Sequence, residues 1–596
     1  MGAQPGAADR GGTFRQKEAH CSPVEGTSVG SGKRLKMMTV LEQILGQAAR
    51  KPQARALTLI DADGEEKVMT YADLERASWR MAAALRQWGL SGNELVLLLI
   101  NDLAELVPLF FGAMMIGALP AILPVPVAGA ARKSSSQLRE RMVQAKARLL
   151  VTSVGMRPYL EESGGVPQTA IVVTSELRGE PADVFPRPLP DLSETAYVQF
   201  TSGTTGQPKG LQVSQGALAS QVRHYAHAVG LNAGDVMVSW SPLYHDQGLV
   251  SNMLMPLCHG VHTILMTPST WLRNPALFFQ AVDRYQGTIS RWPNFAFLYT
   301  ARRVTDRQMA SLSLRSLRLL ASSGEPITPD AWPVFKERFA PYGLADEVMK
   351  GSYGMAEYTL CIAMVPLEER QREEALSLRM LNEKGLAVAV EKGGKGSQVF
   401  VSSGKAMEGA EIRIVDERGE FCADRVIGEI VVRGDCLIDR YHPDRPFPED
   451  SFCNGFFRTG DLGYMVDGWL TVTGRRKDVV IAGGNCISPE QVERIAAGIS
   501  AIKPGRAIAF GIPDEQLGTE KLTVVCELVH DDQKTRQDVR CRLQEEVLRE
   551  LAVWLGRVEF REPGWIEKTT SGKLSRYRNR EKLLSCFQEN RPATSG

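Results

Sequence analysis

Tyr197-Val-Gln-Phe-Thr-Ser-Gly-Thr-Thr-Gly-Gln-Pro-Lys-Gly210 joins a short apolar strand, Tyr197 to Phe200, to a turn crowded with glycines and hydroxyls. The ten residues from Thr201 hold three glycines, three threonines, one serine and one lysine. Gly203 and Gly206 let backbone N–H groups close around anionic oxygens. Thr201, Ser202, Thr204 and Thr205 add hydroxyl donors, and Lys209 adds a point charge suited to phosphate. The spacing is not that of a Walker loop, so a P-loop NTPase is excluded.

Around this turn the chain alternates helix with strand. Residues 72–89 place apolar side chains at helical spacing and stop at Gly89. Apolar runs at 95–100, 148–152, 170–174, 236–240 and 262–266 read as buried strands with helices between them. That pattern predicts an α/β fold with sheets covered by helices. From 410 to 475 the pattern turns to short alternating strands (411–415, 429–433, 469–473), a small β-rich subdomain. The last 120 or so residues are α+β, with helices at 489–497 and 536–551 and strands at 506–512 and 522–529. The domain expectation is an extension over 1–38, a large domain over 39–473 and a small lid over 474–596. The charged connector Gly474-Arg-Arg-Lys-Asp478 marks the last boundary.

Composition excludes several classes. Lysine plus arginine, 70, balances aspartate plus glutamate, 69, so no overall field favours nucleic acid or an anionic membrane. Ten cysteines without a C-x-x-C pair argue against zinc and disulfides, and for a reducing, cytoplasmic setting. Residues 106–131 carry no charge over a length that could span a bilayer. Pro108, Pro120, Pro124 and Pro126 would break such a span, so a buried helix entering a core strand and a Pro-rich turn is expected instead. Residues 1–36 lack an apolar h-region, and Gly6 stands where a myristoylation signal needs Ser or Thr. They read as a disordered extension, with Met37 or Met38 as an alternative start.

The glycine- and threonine-rich run resembles the phosphate loop of the adenylate-forming superfamily, which includes acyl-CoA synthetases, luciferases and peptide-synthetase adenylation domains. Further motifs follow in that family's order. Ser322-Ser-Gly-Glu-Pro326 matches the adenine-contacting turn and brings in Gly324 and Glu325. Gly351-Ser-Tyr-Gly-Met-Ala-Glu357 supplies Ser352, Tyr353 and Gly354 at the adenine and Glu357 for Mg²⁺. Phe457-Arg-Thr-Gly-Asp461 supplies Asp461 for the ribose hydroxyls, and Arg475 also reaches ribose or phosphate. Lys477 occupies the family's hinge, and Lys573, in Glu567-Lys-Thr-Thr-Ser-Gly-Lys573, matches its catalytic lysine. The resemblance implies ATP and Mg²⁺ as cofactors and a carboxylic acid as substrate.

Three segments resemble the fatty acyl-AMP ligase branch. They are Pro242-Leu-Tyr-His-Asp-Gln-Gly-Leu249 with His245, a candidate catalytic residue, beside the acyl pocket, Arg291-Trp-Pro-Asn-Phe-Ala-Phe297 as the acyl-tunnel segment, and a polar insertion between Cys361 and Val401. In that branch the insertion restrains the lid, and the acceptor is the phosphopantetheine of an acyl carrier protein, expected here on a separate chain. Gly483-Gly-Asn-Cys486 departs from the branch and is closer to CoA-using ligases. An acyl-CoA synthetase therefore stays open as an alternative. So does an amino-acid-activating enzyme, because Asp246 could bind an amino group. A non-catalytic nucleotide-binding protein is the last alternative. No nucleic-acid partner and no membrane span are expected.

Overall fold

Strand Met349–Gly354 hydrogen-bonds in parallel to one neighbour and antiparallel to the other, and the main sheet changes character there. The computed structural model describes residues 37–126, 142–143, 145–162, 169–180, 190–201, 209–482, 485–514, 519–551, 553–569 and 572–589. Among these, a 14-stranded sheet runs through most of the molecule. Its parallel half comprises Arg55–Ile60, His262–Met266, Val236–Ser239, Ile289–Trp292, Leu319–Ser322 and Met349–Gly354. Its antiparallel half continues through Cys361–Met364 and Gly404–Ala406 to Trp469–Arg475, Phe456–Val466, Gly428–Gly434 and Ala410–Val415. This β-rich half is the subdomain expected over 410–475.

A second, all-parallel sheet orders Leu119–Ile122, Leu95–Leu99, Leu149–Thr152 and Ala170–Val173. The uncharged stretch enters it as foreseen. Helix Leu103–Met115 is buried from Leu106 to Met115 and leads into the buried strand Leu119–Ile122. The helix lies hard against Tyr71–Gln87. A Cβ on Gly112 would stand 2.8 Å from the Ala82 nitrogen and the Ser78 oxygen, so only glycine permits the approach. No helix among the described residues is long and apolar enough to cross a membrane.

Strands Thr195–Thr201 and Lys209–Ser214 form an antiparallel hairpin in which Thr201 pairs with Lys209. Residues 202–208 of the glycine- and threonine-rich run, between these strands, lie outside the described residues.

From Met38 onward the chain packs as one unit. Its C-terminal part holds a three-stranded sheet, Ile502–Asp514, Thr519–Leu528 and Arg557–Arg561, with helices Pro489–Ala497, Gln533–Leu551 and Arg576–Glu589. The segment between Cys361 and Val401 forms a hairpin, Glu373–Ser377 with Ser397–Val401, carrying helix Leu378–Lys384. Leu378 is buried in the same apolar cluster as Val480, Ile487, Val492 and Leu543 of the C-terminal part. Arg494 donates to Gln398 Oε1 at 2.9 Å across the same junction.

Candidate active site

In a parallel sheet, ligands bind beyond the carboxyl ends of the strands, where the topology switches. The segments singled out from the sequence leave the main sheet there. Ser323 to Glu325 follow strand Leu319–Ser322, Tyr353 and Gly354 end strand Met349–Gly354, and 240–247 follow strand Val236–Ser239. Ser352 Oγ donates to the Ser322 carbonyl at 2.9 Å, tying two of these ends together. Gly354 has no room for a side chain, since a Cβ would stand 1.8 Å from the Leu360 oxygen.

Gly324 has φ +80°, and a Cβ there would lie 3.7 Å from Lys573 Nζ. Lys573 and Gly324 are far apart in the chain, yet the C-terminal loop reaches the Gly324 turn. A tight turn holds the lysine: Gly572 N–H donates to the Thr569 carbonyl at 2.9 Å, and Lys573 N–H to Thr569 Oγ1 at 3.2 Å. The loop is exposed, but protein atoms crowd the ammonium, and desolvation pulls its pKa below the ordinary lysine value. Glu325 opposes that shift. Burial pushes the Glu325 carboxyl up while Lys573 holds it down, and its Oε2 accepts from the Phe295 N–H at 3.0 Å.

Asp461 is a hub. It lies opposite Arg475 on the paired strand, accepts from Arg475 Nε at 2.8 Å on Oδ1, and accepts from the Tyr353 hydroxyl at 2.8 Å on Oδ2. Asp461 raises the Arg475 pKa, and burial raises that of Tyr353 well above the usual phenol range. Tyr353 is nearly buried, and its polar end already serves Asp461.

Glu357 is the middle residue of the short turn Ala356–Tyr358, half-buried, and burial raises its pKa. Among the described residues no side-chain donor reaches its carboxylate. An undercompensated anion of this kind suits Mg²⁺, which usually takes one or two protein carboxylates and completes its shell with phosphate and water. Lys209 Nζ lies 4.8 Å from the centre of the Tyr441 ring, and Glu357 in turn influences Tyr441. Ser202, Gly203, Thr204, Thr205 and Gly206 lie outside the described residues.

His245 sits just before the helical turn Gln247–Leu254. Burial, reinforced by Lys573, pushes its pKa down to about 3, so the imidazole is neutral at ordinary pH. Its Nε2 is buried with no partner among the described residues. Beyond it, Asp246 caps the turn through Gln247 N–H at 2.7 Å. Arg291, which the sequence marked only as the start of a segment, is 1% exposed at the end of strand Ile289–Trp292. Strand periodicity gives no warning of that burial, because its neighbours come from distant parts of the chain.

Lys477 is exposed between two anchored residues. Arg476 pairs with Glu429 at 3.0 Å, and Asp478 pairs with Arg576 at 2.8 Å. Arg576 also meets Glu490 and Glu493, each at 2.8 Å.

The family model described as "AMP-binding enzyme" matches residues 45–442. The chain belongs to the AMP-binding enzymes, the adenylate-forming superfamily. A medium-chain-fatty-acid–[acyl-carrier-protein] ligase of Moorena producens is 30% identical, over 90% of this chain and 93% of that protein. A 4-hydroxyphenylalkanoate adenylyltransferase of Mycobacterium tuberculosis is 31% identical over 93% of each. A solved structure from work on fatty acyl-adenylate ligases of E. coli and L. pneumophila superimposes with a TM-score of 0.86 at 26% identity, covering 93% of this chain and 99% of that one. The fold is the adenylate-forming one, and the chain is an ATP-dependent, AMP-forming ligase.

Proposed function

We propose that the chain is a fatty acyl-AMP ligase. It joins a fatty acid to AMP from ATP, releases pyrophosphate, and passes the acyl group to the phosphopantetheine of a separate acyl carrier protein. The observation that carries the first half is Lys573, whose ammonium stands over the Gly324 turn. A carboxylate approaching the α-phosphorus brings two anions together, and a cation between them offsets the repulsion and the charge that builds during displacement. Lys209 and the loop before it hold the outer phosphates. Asp461 takes the ribose hydroxyls with Arg475 beside it, Gly324 and Ser352 to Gly354 border the adenine, and Glu357 holds Mg²⁺. Held there, Mg²⁺ would supply positive charge against the phosphate oxygens. His245, neutral at ordinary pH, lines the acid's entry rather than moving a proton.

The docking of Leu378 and Gln398 on the C-terminal part supports the carrier-protein acceptor, because it restrains the segment 474–596 that acts as the lid. Gly483-Gly-Asn-Cys486 favours CoA instead, so the acceptor is the point to test. Purified protein is given ATP, Mg²⁺ and straight-chain acids, and acyl-AMP is measured by mass spectrometry. Adenylate should form and should fall by about 10²–10³ in Lys573→Ala. An undiminished rate in that variant refutes the assignment. Transfer to holo-carrier protein should outpace transfer to CoA, and the reverse makes the enzyme an acyl-CoA synthetase.

A further inference from the structure

Three donors of different chemistry, nitrogen, oxygen and sulfur, meet beside the antiparallel half of the main sheet. His224 lies on helix Gln215–Ala228, and Asp435 and Cys436 follow strand Gly428–Gly434. His224 Nε2 lies 3.0 Å from Asp435 Oδ2, and Cys436 Sγ lies 3.5 Å from Asp435 Oδ1. One donor atom from each of the three lies within 4.8 Å of the other two. The imidazole is only 2% exposed and Cys436 is buried, while Asp435 is exposed and opens the cluster to solvent. Gly409 leaves a gap beside two of the donors. It is exposed, with φ +75°, and a Cβ there would lie 2.6 Å from His224 Nε2 and 2.7 Å from Asp435 Oδ1. The next atom, at 3.1 Å, is Cε1 of the same imidazole, so the gap is bordered by the donors themselves.

The hydrogen bonding of the imidazole is frustrated. Nε2 faces an acceptor, Asp435 Oδ2 at 3.0 Å, and a donor, Arg223 Nη2 at 3.2 Å, and neither neutral tautomer satisfies both. With the proton on Nε2 for Asp435, Nδ1 is left as a lone pair. Nδ1 is buried without a hydrogen-bond partner among the described residues, and Glu408 Oε2, another acceptor, stands 3.8 Å from it. A metal ion on Nε2 resolves the conflict. The proton moves to Nδ1, where Glu408 accepts it, and the ring gains the carboxylate–histidine–metal arrangement that fixes a ligand's tautomer. Glu408 is exposed and already holds His227 Nδ1 at 3.1 Å, and the exposed Arg223 can swing into solvent as the ion arrives. Burial and the neighbouring Asp435 hold the Cys436 thiol well above its ordinary range, so its proton leaves only for a cation that bonds sulfur strongly. Sulfur, imidazole and carboxylate together suit Zn²⁺, whereas Mg²⁺ and Ca²⁺ take oxygen ligands. Donors about 2.0–2.3 Å from a tetrahedral Zn²⁺ stand about 3.3–3.6 Å apart. The two pairs here, at 3.0 and 3.5 Å, are close to that.

We propose that His224, Asp435 and Cys436 form a zinc site, with water as the fourth ligand and Glu408 supporting His224. On binding, the thiol proton passes to solvent. The ion joins the helix that follows the 195–214 hairpin to the stretch after strand Gly428–Gly434. That stretch backs the Glu357 turn: Thr359 Oγ1 donates to the Cys436 carbonyl at 2.7 Å, and Ile438 N–H donates to the Glu357 carbonyl at 3.0 Å. The ion acts as a clamp between these segments and takes no part in adenylation, so the site stands apart from the ligase reading. His224 and Asp435 are 211 residues apart in the chain, and no cysteine or histidine spacing announces them.

The test uses the full-length, tag-free protein, stripped with EDTA and titrated with Co²⁺ or Zn²⁺ alone. Co²⁺ should bind with a thiolate-to-metal charge-transfer band in the near ultraviolet. Zn²⁺ should displace it and raise the melting temperature. Cys436→Ser should abolish the band. Glu408→Ala, at an exposed position, should raise the Zn²⁺ Kd by about 10–100-fold. Should Cys436→Ser fail to fold, Glu408→Ala carries the test. No band and no rise in melting temperature in the wild type would leave an ion-pair cluster only and overturn the inference. A band undiminished by Cys436→Ser would place the metal on another thiol, such as the exposed Cys486 or Cys541, and overturn it equally. So would a Zn²⁺ Kd unmoved by Glu408→Ala.

Discussion

Replacing Arg576 with alanine should destabilise the C-terminal part severely, and more at alkaline than at acidic pH. The guanidinium lies 2.8 Å from carboxylate oxygens of Asp478, Glu490 and Glu493, and its side chain is only 15% exposed. Three charge-assisted contacts at about 1.5–3 kcal/mol each would give about 4.5–9 kcal/mol if they were independent. They share one cation, whose desolvation offsets several kcal/mol, so about 3–5 kcal/mol remains as the cost of breaking the cluster. Burial already pushes Glu493 up to about 7 even though Arg576 pulls it down. Its folded pKa lies above the ordinary carboxyl value of 4.5, so its contribution is fully present below pH 4.5 and is lost as pH rises through about 7. Without Arg576 the Glu493 carboxyl rises further, so the penalty grows as pH climbs through about 7 and above. Urea unfolding of both proteins at pH 5 and pH 8, followed by tryptophan fluorescence, measures the difference. A loss under about 1 kcal/mol, or one equal at both pH values, would refute this account of the cluster.

Tyr353→Phe removes one of the two donors on Asp461 and should cost about 1.5–3 kcal/mol of stability in the same unfolding assay. An unchanged midpoint would mean that the hydroxyl contributes nothing. The proposed mechanism uses the Lys573 ammonium, and burial lowers its pKa, so the adenylation rate should fall with rising pH at a point below 10.5. His245, down at about 3, should add no limb between about pH 5 and 9. A profile flat up to pH 10.5 contradicts the first statement. Arg494→Ala loosens the insertion from the C-terminal part, and the ratio of CoA to carrier-protein acylation should rise by up to about tenfold. An unaltered ratio would detach that contact from acceptor choice.

Local patterning made much of the fold legible. Strand His262–Met266 and helix Pro489–Ala497 have the bounds that apolar spacing and the N-terminal proline indicate. The expected strand at 506–512 is longer, Ile502–Asp514, because Pro504 and Gly505 read as breakers while the sheet absorbs them in a register shift between Ile502 and Ala507. Strand Trp469–Arg475 likewise runs two residues beyond the expected end, since Gly474 is extended rather than turned. The site was legible only through motif resemblance. Nothing local to Lys573 foretells the Gly324 turn, and nothing local to Arg291 foretells its burial. Those facts belong to tertiary neighbours, as does the seat of Leu378 on the C-terminal cluster.

The ion pairs flanking Lys477 constrain any large reorientation of the C-terminal part. Arg476 is fastened to Glu429 in the main sheet, and Asp478 to Arg576 in the terminal helix. With both clasps closed, Lys477 is left as a swivel one amino acid wide between two pinned neighbours, and the seats of Leu378 and Gln398 on the C-terminal part add a further restraint. A proline at that position would fix φ and narrow the swivel to a single dihedral.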